Sequence, residues 1–518
     1  METLRRLSQI VVAALAVLSF ATFPAFGQDS NSSQVSQQSG VIGWPSHAHD
    51  AQHTSDASVA GQNLNGIRWS TPVDLRPTLV NGELLIHYGS PLITPGNTVI
   101  VPVKTGANSF RVEAHDGTTG ALIWKLSTNY RTPSATFQPS FSPVLQGNNL
   151  YIPAAGGVIL VRSNPDSATG KISRLVFFGQ KNFASNPKAY TQNILINTPI
   201  TADSQGDIFF GFIAQGATPL NIQSGLARIS ATGQGSWVAA TAASADSSIT
   251  KVNMNCAPAL SPDEKTLYVG VDSADFGFGY LLALDTTTLA TTHKVLLKDP
   301  ASGLDATITD QSSATPTVGP DGDVYYGVLE NPFPGHNDRG WLLHFNSTLT
   351  LKRIPGSFGW DDTASIVASS FVSSYHGTSS YLVMTKYNNY AGINTGDGIN
   401  KVAILDPNAT EADPVIPRTL VMNEVLTVKG VTPDPNFPNF PGAVREWCIN
   451  SAAVDPVMKA IMVNSEDGFL YRWDLSSNSL TQEIKLSSGI GEAYTPTVIG
   501  PDGTIYAIND AIVDAVGQ

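Results

Sequence analysis

One phrase recurs along the chain: a small residue and Pro, alternating apolar positions, a Gly/Asp/Asn turn, then a second β-rich run. Clear copies begin at Ser90-Pro91, Ser142-Pro143, Thr198-Pro199, Ala257-Pro258, Thr315-Pro316 and Thr495-Pro496, with degenerate copies near Ser369 and Ser451. The eight starts are separated by 52, 56, 59, 58, 54, 82 and 44 residues, too long a period for leucine-rich or ankyrin repeats and suited to four-stranded blades. Val-, Ile- and Tyr-rich alternation supplies strands, while Pro-Asp-Gly and Gly-Asn-Asn supply the positive-φ turn positions of hairpins. No sustained 3.6-residue apolar stripe appears, so helix is expected to be nearly absent. The expected fold is therefore all-β: an eight-bladed β-propeller of four-stranded antiparallel blades.

The second half of a unit is sharpest over 112–125, where Ala114, Asp116, Thr119, Gly120 and Trp124 fit the pattern A-x-D-x-x-T-G-x-x-x-W. Weaker echoes surround Asp285 with Thr288, Asp406, Phe345, and Trp473-Asp474. This pattern resembles the tryptophan-docking repeat of the pyrroloquinoline-quinone (PQQ)-like propellers, also called quinoprotein alcohol dehydrogenase-like. The resemblance implies that the Trp packs between neighbouring blades and that the Asp/Thr/Gly turn ties adjacent strands. It covers residues 43–518, and the stretch from Gly43-Trp44-Pro45 to His53-Thr54 is similar to the segment that opens many members.

Both ends fit a closed ring. The last unit stops at Gln518, too short for all its strands, whereas Ile67-Arg68-Trp69-Ser70-Thr71 reads like an orphaned outer strand of the Leu122-Ile123-Trp124 type. An N-terminal strand is expected to complete the last blade, which removes the open sheet edges that invite aggregation.

Residues 1–27 combine Arg5 and Arg6 with an apolar run from Ile10 to Phe20 and small residues at Ala25 and Gly27, the pattern of a cleaved secretory signal. Residues 28–42 are polar and read as a disordered linker. A secreted or periplasmic, monomeric protein is expected, with no membrane span after cleavage. The net charge of −13 is dispersed, without the clustered Lys/Arg that nucleic-acid binding requires. Only Cys256 and Cys448 occur, which excludes a disulfide framework and a haem-attachment motif, and the repeat places them on separate blades as thiols.

The 82-residue interval implies a rim insertion around 386–445, holding Tyr387, Tyr390, Asp397 and a Pro-rich stretch from Val431 to Gly442. Asp397 lies in a Gly-rich stretch that reads as a plain turn. Residues just before each small-Pro phrase share one phase of every blade and are expected to converge at one channel mouth. They include Asn193, Asn255, Asp310, Gln311, Asp361, Asp362, Arg445, Glu446, Trp447 and Glu492. Such carboxylates suit a hard cation such as Ca²⁺, which takes oxygen ligands. His47, His49 and His53, with Asp50 between them, offer ligand types for zinc or copper at a spacing that matches no established site.

The resemblance implies two kinds of function. Quinoprotein dehydrogenases of the family hold PQQ with Ca²⁺ in the channel and use an Asp as base, in many cases beside an adjacent-cysteine pair that this chain lacks. Other members are scaffolds without turnover. The first reading here is a scaffold that binds a protein or small-molecule ligand at the channel mouth or rim loops. The alternative is a PQQ/Ca²⁺-dependent alcohol or sugar dehydrogenase with Asp310, Glu446 or Glu492 as catalytic candidates. A further alternative is a carbohydrate-binding or carbohydrate-processing propeller using Trp360, Trp447, Tyr387 and Tyr390 as stacking platforms.

Overall fold

A computed structural model describes residues 42–80, 82–134, 137, 141–489 and 496–518. The expected signal segment and nearly all of the linker lie outside these residues. Eight antiparallel sheets form a ring of blades. Blades one to seven span 92–128, 144–176, 194–239, 251–296, 317–345, 365–429 and 453–485, and the eighth combines 498–517 with the strand Gly66–Pro72. Within each blade the chain runs outward from the channel to the rim.

The middle strands are buried on both faces because a neighbouring blade covers each side. All seven residues of Tyr381–Tyr387 are buried, whereas the rim strand Ser479–Lys485 has no buried residue and alternates half-buried with exposed positions. Apolar clusters therefore lie between blades rather than within them, one running from blade one to blade three and another from blade three to blade six. Each buried Val, Leu or Ile contributes about 1.5–3 kcal/mol, so adhesion between blades holds the ring together.

The small-Pro phrase interrupts the innermost strand because Pro has no N–H to give the ladder. In blade three, Ile194–Ile196 and Thr201–Ala202 pair separately with Ile208–Ala214, with Thr198-Pro199 between them. Hydroxyls one or two residues after the Pro station then stitch one blade to the next. Thr201 Oγ1 donates to Pro258 O at 2.5 Å, Thr317 Oγ1 to Ala364 O at 2.8 Å and Ser365 Oγ to Ala452 O at 3.0 Å.

The ring closes as expected. Gly66–Pro72 runs antiparallel to Ile512–Gly517, with Trp69 opposite Ala515 as Trp124 is opposite Ala114. Trp124 is buried, donates its indole N–H to Pro165 O of blade two at 2.6 Å, and lies under the Arg162 guanidinium at 3.8 Å. Asp116 Oδ1 accepts from Thr119 N and Oγ1, both at 2.8 Å, and Gly120 takes φ +72° at the turn.

Three local features differ from the sequence reading. The sixth inner strand is Ser365–Ala368, and Ser369–Phe371 is a 3₁₀ turn, because Thr363-Ala364 fills the small-Pro station without a Pro. The segment 386–445 contains two long strands of blade six, Lys401–Ala412 and Leu420–Lys429, flanked by the connections 388–400 and 430–452. Short helices at Gln180–Ser185, Pro187–Asn193 and Ala240–Ser244 fill the connections after blades two and three.

A second docking repeat also stands in blade three. Ala227 is opposite Trp237, with Thr232 and Gly233 at the turn, but Ile229 replaces the Asp. Asp207 supplies the missing carboxylate from the neighbouring hairpin: its Oδ1 accepts Ala231 N at 2.8 Å and its Oδ2 pairs with Arg228.

Candidate functional site

Residues 43–62 form no regular strand, yet they visit seven blades in ring order. Trp44 exchanges both backbone bonds with Ile93 at 2.8 Å, and Pro45 O accepts Leu145 N at 2.8 Å. Ala51 O accepts Leu260 N at 2.7 Å, Gln52 O accepts Val318 N at 2.9 Å and Thr54 O accepts Ile366 N at 2.9 Å. Ser55 and Ala57 bracket Val454 at 2.9 Å each, and Gln62 N donates to Gly503 O at 2.7 Å. Innermost strands leave backbone groups facing the axis, and buried groups of this kind need partners. The lead-in supplies them and forms a hub within the channel.

Three of the residues that precede the small-Pro phrases, Asp310, Asp361 and Asp362, fall into two charge networks. In the first, Lys251 Nζ lies 2.5 Å from Asp310 Oδ1 and 3.0 Å from Asp272 Oδ2. Burial pushes the Asp272 carboxyl up to about 7, against the pull of Lys251. In the second, buried Lys386 places its Nζ 3.4 Å from Asp361 Oδ2, while Asp361 Oδ1 accepts from Ser313 N and Oγ at 2.9 Å. Burial works against the Lys386 ammonium, but Asp361, Cys448 and Asp362 outweigh it and raise its pKa. Asp362 Oδ2 accepts from Lys386 N at 3.0 Å and from Thr385 Oγ1, and burial raises this carboxyl to about 7.

Other candidates take structural contacts. Asn193 donates to Ala217 O at 2.9 Å, and Asn255, with φ +64°, donates its amide to His87 Nδ1 at 2.7 Å. Gln311 N donates to Thr309 Oγ1 at 3.1 Å, and its buried Oε1 has no protein partner. Arg445 lies 3.6 Å from Asp434 and 3.8 Å from Glu466. Trp447 N donates to Asn388 Oδ1 at 3.3 Å, and Trp447 O accepts the Asn388 amide at 3.2 Å. Glu492 lies outside the described residues. Asp397 closes a turn by accepting from Ile399 N at 2.9 Å and from Asn389 at 2.7 Å.

Sequence reasoning missed Glu466. Glu446, Cys448 and Glu466 each bring one donor atom within 4.8 Å of the others, the one such convergence of His, Cys, Asp or Glu among the described residues. Glu466 lies in the turn Ser465–Gly468, outside any phrase, and reaches blade seven's mouth because its Oε1 accepts Glu446 N at 2.9 Å. A thiol with two carboxylates suits a borderline cation better than Ca²⁺, whose ligands are all oxygen. Asp310 does not join this set. Cys256 is separate, accepting Gly270 N at 3.3 Å, and burial pushes its thiol up to about 12.

Trp360, Trp447, Tyr387 and Tyr390 are all buried, so none offers an open ring face to a sugar. The described mouth also does not fit PQQ with Ca²⁺. Asp310 is held by Lys251, the three-donor set includes sulfur, and the hub occupies the axis. No helix of the described residues is long and apolar enough to cross a membrane.

No protein-family model matches the chain, and no curated protein matches it in sequence. Solved structures do match. A quinohaemoprotein alcohol dehydrogenase from Comamonas testosteroni aligns at TM-score 0.52 and 13% identity, covering 92% of this chain and 77% of that one. Sqt1 from Saccharomyces cerevisiae aligns at TM-score 0.51 and 11% identity, covering 89% of this chain and all of that one. BamB from Moraxella catarrhalis aligns at TM-score 0.32 and 12% identity over 92% of this chain and 99% of that one. At this identity the likeness is one of fold: a PQQ-type eight-bladed propeller.

Proposed function

We propose that this chain is a secreted propeller that binds a protein or small-molecule ligand at its channel mouth and rim loops without turning it over. One observation carries the reading: two acids of the mouth are tied to lysines of the ring, Asp310 to Lys251 and the buried Asp361 to Lys386. An ion-paired carboxylate is a poor ligand for a cation, but it holds the mouth in one shape for recognition. Closure within blade eight leaves neither end of the ring with an unpartnered strand, which agrees with a monomer.

The test adds PQQ and Ca²⁺ to purified protein and follows dye reduction with a panel of alcohols and sugar alcohols. No turnover and no stoichiometric quinone absorbance are expected. Robust turnover would overturn the proposal in favour of a PQQ/Ca²⁺-dependent dehydrogenase using Asp310 or Glu446.

A further inference from the structure

The chain has nine histidines, and two of the buried ones in the blades show how this fold satisfies an imidazole. His115 meets Gly120 O at 2.9 Å and Glu113 Oε2 at 3.1 Å, and His336 meets Gly340 O at 2.9 Å and Asp413 Oδ2 at 3.0 Å. Both ring nitrogens of each are engaged. His344 of blade five engages Asp323 Oδ2 through Nε2 and leaves Nδ1 without a partner, and the hub concentrates such orphaned nitrogens. His47, His49 and His53 are 6%, 3% and 0% exposed, yet His47 Nε2, both nitrogens of His49 and His53 Nε2 have no hydrogen-bond partner. An unsatisfied buried polar atom costs about 1–3 kcal/mol, so four of them within seven residues are hard to retain as mere packing.

In His53 the tautomer is fixed. Nδ1 lies 2.7 Å from Pro316 O, which can only accept, so Nδ1 carries the hydrogen and Nε2 keeps its lone pair. A backbone carbonyl that orients a neutral imidazole in this way is the usual support of a metal-bound histidine. His47 meets His53 edge to face, with ring centres 5.4 Å apart. A cation bound through ring nitrogens sits roughly 3 Å from each ring centre, given metal–nitrogen bonds of about 2.0–2.1 Å, so two rings sharing one ion lie no more than about 6 Å apart. The observed spacing falls inside that limit.

We propose that His47 and His53 bind one imidazole-preferring transition-metal cation, of the Zn²⁺ or Cu²⁺ class, inside the channel, where it cross-links the N-terminal lead-in to itself. The proposal is independent of what the mouth recognises.

The experiment uses the full chain carrying Cys448→Ser, so that the set of Glu446, Cys448 and Glu466 does not contribute. Protein stripped with a chelator is refolded with Zn²⁺, dialysed exhaustively and analysed for metal. One equivalent is expected, falling at least tenfold in His47→Gln and His53→Gln and unchanged in His293→Gln and His376→Gln, whose imidazoles are exposed. X-ray absorption of the Zn²⁺-loaded protein with both histidines intact should show two imidazole ligands, a readout that does not depend on the variants folding. No retained metal, equal retention in the two hub variants, or a spectrum without imidazole would each overturn the proposal.

Discussion

Trp69 and Trp124 occupy the same station of two blades: each faces an Ala on the adjacent strand and donates its indole N–H to the blade that follows, to Gly117 O at 3.0 Å and to Pro165 O at 2.6 Å. The closing seam between the two ends of the chain is thus built like an ordinary blade junction. Trp69→Phe should cost about 1 kcal/mol through the lost hydrogen bond. Trp69→Ala, which also uncovers the Asp116–Gly120 turn, should cost a few kcal/mol. Urea unfolding measures both, and an Ala variant as stable as the parent would contradict the seam.

The hub depends on Asp455. Its fully buried carboxylate accepts Gly61 N at 2.7 Å through Oδ2, and Val457 N and Met458 N at 3.0 and 2.8 Å through Oδ1. Asp455→Ala is expected to lose about 2 kcal/mol or more and to expose the lead-in to proteases. Limited proteolysis followed by mass mapping should place the earliest new cut between residues 56 and 66. Unchanged cleavage would show that Asp455 does not anchor this segment.

Asp362 gives a pH signature of definite sign. Burial holds its carboxyl at about 7 against a usual 3.8, so between about pH 4 and 7 the folded chain keeps a proton that the unfolded chain has lost. The associated stability is full below pH 4 and disappears as pH rises through 7. Asp362→Asn, which mimics the protonated acid, should match the parent near pH 4 and exceed it at pH 8 by a few kcal/mol. Unfolding free energies whose difference stays constant with pH would refute the assignment.

Blade three tests whether a displaced carboxylate does the work of the usual one. Asp207→Asn should lose about 1–3 kcal/mol, because Arg228 loses its charged partner. The matched change Ile229→Asp in that background should not restore the Arg228 pair. Thermal unfolding of the single and double variants decides the matter, and a neutral Asp207→Asn would remove the compensation.

Strand alternation and turn residues made the ring legible from the sequence, because every blade repeats the same hairpin chemistry. Legibility failed where a partner came from elsewhere. The docking turn of blade three was hidden by Ile229, since its carboxylate comes from a residue 24 positions before Ala231. The sixth blade was misplaced because Thr363-Ala364 has no Pro. The ion pairs of Asp310 and Asp361 were not legible, because Lys251 and Lys386 lie on strands outside the phrases. The path of the lead-in left no side-chain trace at all, because it is held mainly by backbone groups.

The pairing of Ile67 with Val516 has a kinetic consequence. The strand Gly66–Pro72 has no partner until Ile512–Gly517 emerges, and joining them must overcome the entropy of closing all seven intervening blades into a loop. A chain cut short by even a dozen residues at its C-terminus would keep seven sound sheets and still present two naked edges. Its expected fate is self-association rather than simple loss of one module.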